Sequence, residues 1–137
     1  MIWLLDTGPL VAFFDRSDSH HLWARQMWSQ APLPMLTCDA VLAEATYLLH
    51  ERAGLPPSAV LELLTRRILR SSFALDSEAA AVAGLLNKYR DQEMQLADAC
   101  LVRMSELHRD CKVLTTDSDF RFYRRLSRQV IPLISPF

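Results

Sequence analysis

Residues Ile2-Trp3-Leu4-Leu5 are apolar without alternation, and Asp6-Thr7-Gly8-Pro9 follows at once. A strand with one wet face alternates apolar and polar side chains, so an unbroken apolar run reads as a strand covered on both faces, as in the parallel sheets of α/β folds. Lys112-Val113-Leu114 breaks in the same way into Thr115-Thr116-Asp117-Ser118-Asp119. Parallel strands need long crossovers, usually helical, and the sequence between these runs supplies them.

Pro9 suits the first turn of a helix through Leu10, Val11 and Phe14, with Asp6 or Thr7 as its cap. Asp18 or Ser19 caps the next helix, which carries Trp23, Met27 and Trp28 as a core stripe. Met35-Leu36-Thr37 is a short strand. Asp39 then opens a helix to about Arg52, closed by Gly54. Ser58 caps a helix through Ile68, residues 71–75 form an edge strand, and Asp76 or Ser77 begins a helix through Leu86. A strongly patterned helix spans Gln95 to His108, with Leu96, Ala97, Cys100, Leu101, Met104 and Leu107 on one side. Phe120, Phe122 and Tyr123 suggest a short helix, and residues 130–134 a last strand that Pro132 confines to an edge. Alternating strands and helices, with no repeat and no linker, predict a single domain over residues 1–137. Its expected fold is a three-layer α/β/α sandwich with a mostly parallel central sheet.

No apolar run approaches the roughly 18 residues of a membrane span. The opening segment lacks a basic leader, so no secretory signal is expected. Cys38, Cys100 and Cys111 are odd in number and lack Cys-x-x-Cys spacing, which favours reduced, packed thiols in a cytoplasm. The net charge of -1 argues against a polyanionic partner at first sight. Setting four carboxylates aside as ion ligands leaves the remainder at +3. Arginines also cluster at Arg66, Arg67 and Arg70, and at Arg121, Arg124, Arg125 and Arg128. Solvated helix faces explain such clusters as well as a nucleic-acid surface does.

Four acids stand out by position: Asp6 after the first strand, Glu44 and Asp98 at the rims of apolar helix stripes, and Asp117 after a later strand. Asp119 is a fifth candidate. Each alone has a structural explanation as a cap, a surface charge or a turn residue. Gathered where the sheet meets its helices, they would repel one another unless cations neutralised them. Mg2+ and Mn2+ favour such hard oxygen donors, and phosphodiester hydrolysis is the chemistry they most readily serve.

Asp6-Thr7 after an opening strand, Glu44 in a mid-chain helix, Leu96-Ala97-Asp98-Ala99 and Thr115-Thr116-Asp117-Ser118-Asp119-Phe120 together resemble the PIN domain, in particular the VapC-type ribonucleases of toxin-antitoxin pairs. The resemblance spans essentially the whole chain. It implies a Mg2+- or Mn2+-dependent endoribonuclease with Asp6, Glu44, Asp98 and Asp117 around the metal and Asp119 as an auxiliary acid. Thr7 and Thr115 would be hydroxyl partners of the carboxylates or of metal-bound water. It further implies an RNA substrate, a cognate antitoxin protein and a homodimer. The segment Asp15-x-x-Asp18-x-x-His21 resembles the loop after the first helix in these toxins, with no catalytic role assigned. Gly8 stands where many relatives carry serine.

Other readings compete. A PIN-like module that binds RNA or a protein without cutting would be expected to lack one or more of the acids, and none is missing. A phospho-accepting receiver domain would want an acidic pair after the first strand and a lysine after a late one. A zinc enzyme would want patterned ligands, whereas His20, His21, His50 and His108 form no His-x-x-x-His motif.

Overall fold

The computed structural model describes residues 1–137 throughout. Its main sheet has five strands, β1 (Ile2–Leu5), β2 (Met35–Thr37), β3 (Leu69–Ser71), β4 (Cys111–Leu114) and β7 (Leu133–Ile134), in the order β3-β2-β1-β4-β7. Every pairing in it is parallel, and Leu5 lies opposite Leu114 at the end of the central pair. Between the strands run α1 (Thr7–Phe14), α2 (His21–Gln30), α3 (Asp39–Ala53), α4 (Pro57–Thr65), α5 (Leu75–Lys88) and α6 (Leu96–Leu107). The expected mostly parallel α/β architecture is therefore the observed one. A two-stranded antiparallel hairpin, β5 (Arg124–Arg125) with β6 (Gln129–Val130), sits apart from the main sheet.

The chain leaves β1 toward β2 and β3 and later returns to β4 on the other side of β1. Right-handed crossovers then carry the earlier helices to one face and α5 and α6 to the other. α1 packs on α2 and α3, and α5 packs on α6. Leu4, Leu5, Leu101, Val113 and Leu114 are fully buried between these layers. Each such side chain contributes roughly 1.5–3 kcal/mol by leaving water. Strand order reverses between β1 and β4, and the crevice at the carboxyl ends of strands flanking such a reversal is where open α/β sheets hold ligands. Asp6 and Asp117 emerge there.

Local chemistry shifts several boundaries. Asp6 is the N-cap of α1, accepting the Thr7 N–H at 2.8 Å. Pro56, not Ser58, precedes the first residue of α4, and its extended backbone needs no side-chain cap. β3 begins at Leu69, two residues before the expected strand, because its register is set by Met35 opposite Leu69, next to the bond from Met35 N to the Ile68 carbonyl. The last strand is split. Pro132 has no N–H to donate, but its carbonyl accepts from Val113 N, and the chain resumes pairing only at Leu133. Gly54 closes α3 with φ +64°, the left-handed conformation glycine adopts without penalty. Leu96 and Leu107, expected in the apolar stripe of α6, are exposed at its two ends. No helix is long and apolar enough to cross a membrane.

Candidate functional site

Asp6 is drawn almost wholly out of water by the strand it terminates, with 5% of its surface exposed. One carboxylate oxygen accepts the Thr7 N–H, and the other accepts the Thr115 hydroxyl at 2.6 Å. The same Thr115 oxygen accepts the Asp117 N–H at 2.9 Å, so a single hydroxyl ties the ends of β1 and β4 together. Burial pushes the Asp6 carboxyl up to about 7 against the opposing effect of these donors, and the charges of Asp98 and Asp117 add to the rise.

Glu44 reaches the site from α3, and Thr7 donates its hydroxyl to Glu44 Oε2 at 3.2 Å. Asp98 is the third residue of α6 and closes a capping box, accepting the Gln95 N–H at 3.3 Å. Its Oδ2 also accepts the Tyr123 phenol at 3.3 Å. Burial first, then the charges of Asp117 and Glu44, raise the Asp98 carboxyl to about 6, while Gln95 and Tyr123 pull the other way. Tyr123 itself is fully buried beside Tyr89 and Phe120, and burial together with the nearby acids holds its phenol protonated.

Asp6, Glu44, Asp98 and Asp117 line one cleft of about 310 Å³ with Thr7, Gly8, Asp18, Arg52, Gln95 and Thr116. At about 30 Å³ per water, that volume holds a phosphodiester group with several waters. Asp119 lies outside the lining. Its N–H donates to Asp117 Oδ1 at 2.9 Å, and its exposed carboxyl is raised by partial burial and by Asp117. Thr115 also acts from behind the cleft wall, through its bonds to Asp6 and Asp117. No three of the acids converge into a ready-made cage. They ring the cleft instead, as uncompensated like charges must. An all-oxygen ring around water-sized space, with the Asp6 carboxylate deeply buried and no cationic side chain beside it, fits a hard divalent cation that retains waters.

Four parts of this site are not evident from the sequence. Tyr123, behind Asp98, carries only the signal of a short helix, and the residues there instead make a 3-10 turn, Ser118–Arg121, leading into β5. Gln95 was read as a helix boundary, although its place three residues before Asp98 is the capping-box spacing. A side chain at Gly8 would run into Thr116 Oγ1, so the hydroxyl in that space comes from Thr116. Arg52 follows Glu44 and Leu48 at four-residue steps, which is the signal that would have put it on the same helical face.

Three of the seven clustered arginines are used by the fold. Arg66 pairs with Glu62 at 3.0 Å. Arg124 Nη1 donates to the carbonyls of Arg121, Phe122 and Tyr123, and Arg125 Nη1 to those of Ser105 in the last turn of α6 and Arg109 just after it. Within these clusters Arg67, Arg70, Arg121 and Arg128 keep guanidinium groups without a hydrogen-bonded or ionic partner, so part of the basic surface expected from the sequence remains.

Tyr123→Phe is expected to keep the fold and cost about 1 kcal/mol in a urea melt, the worth of one hydrogen bond. The Asp98 carboxyl should then titrate higher, because a donor to its charged form is gone. An unmoved Asp98 resonance in an NMR titration would remove Tyr123 from the site.

The family model described as PIN domain matches residues 3–126. Ribonuclease VapC26 of Mycobacterium tuberculosis (strain ATCC 25618 / H37Rv) is 28% identical over 115 residues, covering 83% of this chain and 85% of the relative. The solved structure of Mycobacterium tuberculosis VapC20, a sarcin-ricin loop cleaving toxin, superposes with a TM-score of 0.71 at 21% identity, over 85% of this chain and 91% of that one.

Proposed function

The chain belongs to the PIN domain family, and from that premise we propose that its acidic cleft hydrolyses RNA phosphodiester bonds with Mg2+ or Mn2+ as cofactor. The observation that supports this reading is that Asp6, Glu44, Asp98 and Asp117 line one cleft, each oriented by a donor from the chain itself. These four acids would hold the divalent ion, which when bound activates a water and shields charge gathering on the phosphoryl group. Thr115 keeps Asp6 and Asp117 at a fixed separation. Thr7 anchors Glu44, and Tyr123 with Gln95 anchors Asp98, which holds the acids around the cleft that the cation would enter. Asp119 serves as an auxiliary acid beside Asp117. The relative named ribonuclease VapC26 supports RNA as substrate, and the VapC-type likeness supports a toxin role with a cognate antitoxin as partner; assembly as a homodimer is part of the proposal.

In-line attack by water forms a bond to phosphorus, breaks the bond to the 3′ oxygen, and leaves a 5′-phosphate and a 3′-hydroxyl. Single-stranded RNA incubated with the purified chain should be cut in Mg2+ or Mn2+ and spared in EDTA, with those end groups on the products. Cleavage that persists in EDTA, or products ending in a 2′,3′-cyclic phosphate, would transfer the nucleophile to the RNA itself and end the metal-hydrolysis reading. RNA that is bound and never cut would favour a non-cleaving module.

A further inference from the structure

Among the twelve residues that line the cleft, Arg52 is the one arginine or lysine, set against Asp6, Asp18, Glu44, Asp98 and Asp117. It lies eight residues beyond Glu44, about 12 Å along α3 at 1.5 Å per residue. That places it at the rim of the cleft, away from its acidic centre. The charges that act on Asp6 and Asp98 are those of other acids, whereas Arg52 acts on Asp15.

No hydrogen bond or ion pair fixes the Arg52 guanidinium to the fold. Arg66 and Arg103 are held in ion pairs, and Arg124 and Arg125 cap carbonyl groups. Arg52 is exposed and has neither an ionic partner within 4.0 Å nor a hydrogen bond. Asp15 does not require it, since the Ser17 hydroxyl and N–H are the main reason that carboxyl is held low, with Arg52 a lesser one. A cation in the last turn also complements the helix dipole, a contribution that leaves the guanidinium donors free.

A polyanion entering a cleft of five carboxylates is repelled everywhere except where an ion or a free cation meets it. A divalent ion at the acids answers for the phosphate being cut, and the next phosphate along the strand meets the rim. A guanidinium offers a planar fork of donors that matches two non-bridging phosphate oxygens, and an unpaired one need break no existing bond to do so. We propose that Arg52 is a phosphate-positioning residue: it grips a backbone phosphate neighbouring the scissile one and sets the register of the RNA strand across the acids. The proposal rests on the nuclease reading of the cleft. Because the contact is to phosphate, it positions the strand and adds no base preference.

The test uses Arg52→Ala and Arg52→Lys with a fluorescein-labelled single-stranded RNA of mixed sequence. Cleavage is followed in Mg2+, and binding by anisotropy in Ca2+ over a salt series. Arg52→Ala should raise KM about tenfold with a smaller change in kcat, and should flatten the slope of log K against log salt by about 0.7, one single-strand phosphate contact. Arg52→Lys should recover the slope and only part of the affinity, and both variants should melt in EDTA close to the parent. A variant that keeps the parental KM and salt slope while still cleaving RNA overturns the proposal. So does a loss of cleavage that follows a lowered melting temperature with the slope unchanged, which would make Arg52 a structural charge. If the parent chain binds RNA without cutting it and Arg52→Ala still flattens the slope, hydrolysis fails and the phosphate contact stands.

Discussion

Asp98→Asn should reduce RNA cleavage by on the order of 10³-fold, the several kcal/mol that a bound divalent ion contributes to charge stabilisation in such a transition state. The ion-free variant should melt no lower than the parent. An amide has the volume of the carboxylate, and its oxygen can still accept from Gln95 N and Tyr123 Oη, so the local bonds of α6 survive. What the substitution removes is a charge that burial and the neighbouring Asp117 and Glu44 disfavour, as the rise of the Asp98 carboxyl to about 6 records. Removing a group that the fold tolerates at a cost stabilises, whereas removing one the fold depends on destabilises. Calorimetry in EDTA beside a gel-based cleavage assay separates the two. A variant that melts far below the parent makes Asp98 a structural acid of the capping box, and one that still cuts RNA moves the chemistry elsewhere.

The parts of this site that were legible in the sequence are those where one short segment carries the whole signal. Ile2 to Leu5 breaks into Asp6 so sharply that both the buried strand and the acid at its end follow from four apolar side chains. Glu44 and Asp98 were legible because helical periodicity places them on the border of an apolar stripe. Periodicity fails where two distant segments decide. Nothing near Tyr123 announces that its phenol meets a carboxylate 25 residues earlier. Nothing in a run of arginines says which guanidinium will be used up on carbonyls, as in Arg124 and Arg125, and which will stay free, as in Arg128. The edge strands slipped for a related reason. β3 has only three residues and takes its position from the register of β2, and Pro132 divides the C-terminal run through a missing donor whose effect depends on the neighbouring β4.

Without divalent ions, the stability of this protein should fall as pH rises from about 4 to about 7, and Mg2+ should reverse much of that fall. In the folded chain the Asp6 carboxyl stands at about 7 and Asp98 at about 6, both above the ordinary carboxylate value of 3.8. Between those values the native state holds protons that the unfolded chain has released. Stability therefore decreases with pH across that window and is flat on either side of it as far as these two groups are concerned. Asp6 is fully buried, so solvent screening does not erode its share, and the sum should reach a few kcal/mol. A bound cation inverts the balance by stabilising the charged forms, and its binding must release the protons that occupy the carboxyls below neutrality. Mg2+ should accordingly raise the melting temperature strongly near pH 8 and weakly near pH 5, with proton release detectable in calorimetry run in two buffers of different ionisation enthalpy. A melting temperature in EDTA that climbs from pH 5 to pH 8, or a Mg2+ effect equal at both ends, would mean that these acids enter the folded state already neutralised by the chain itself, with no charge left for an ion to satisfy.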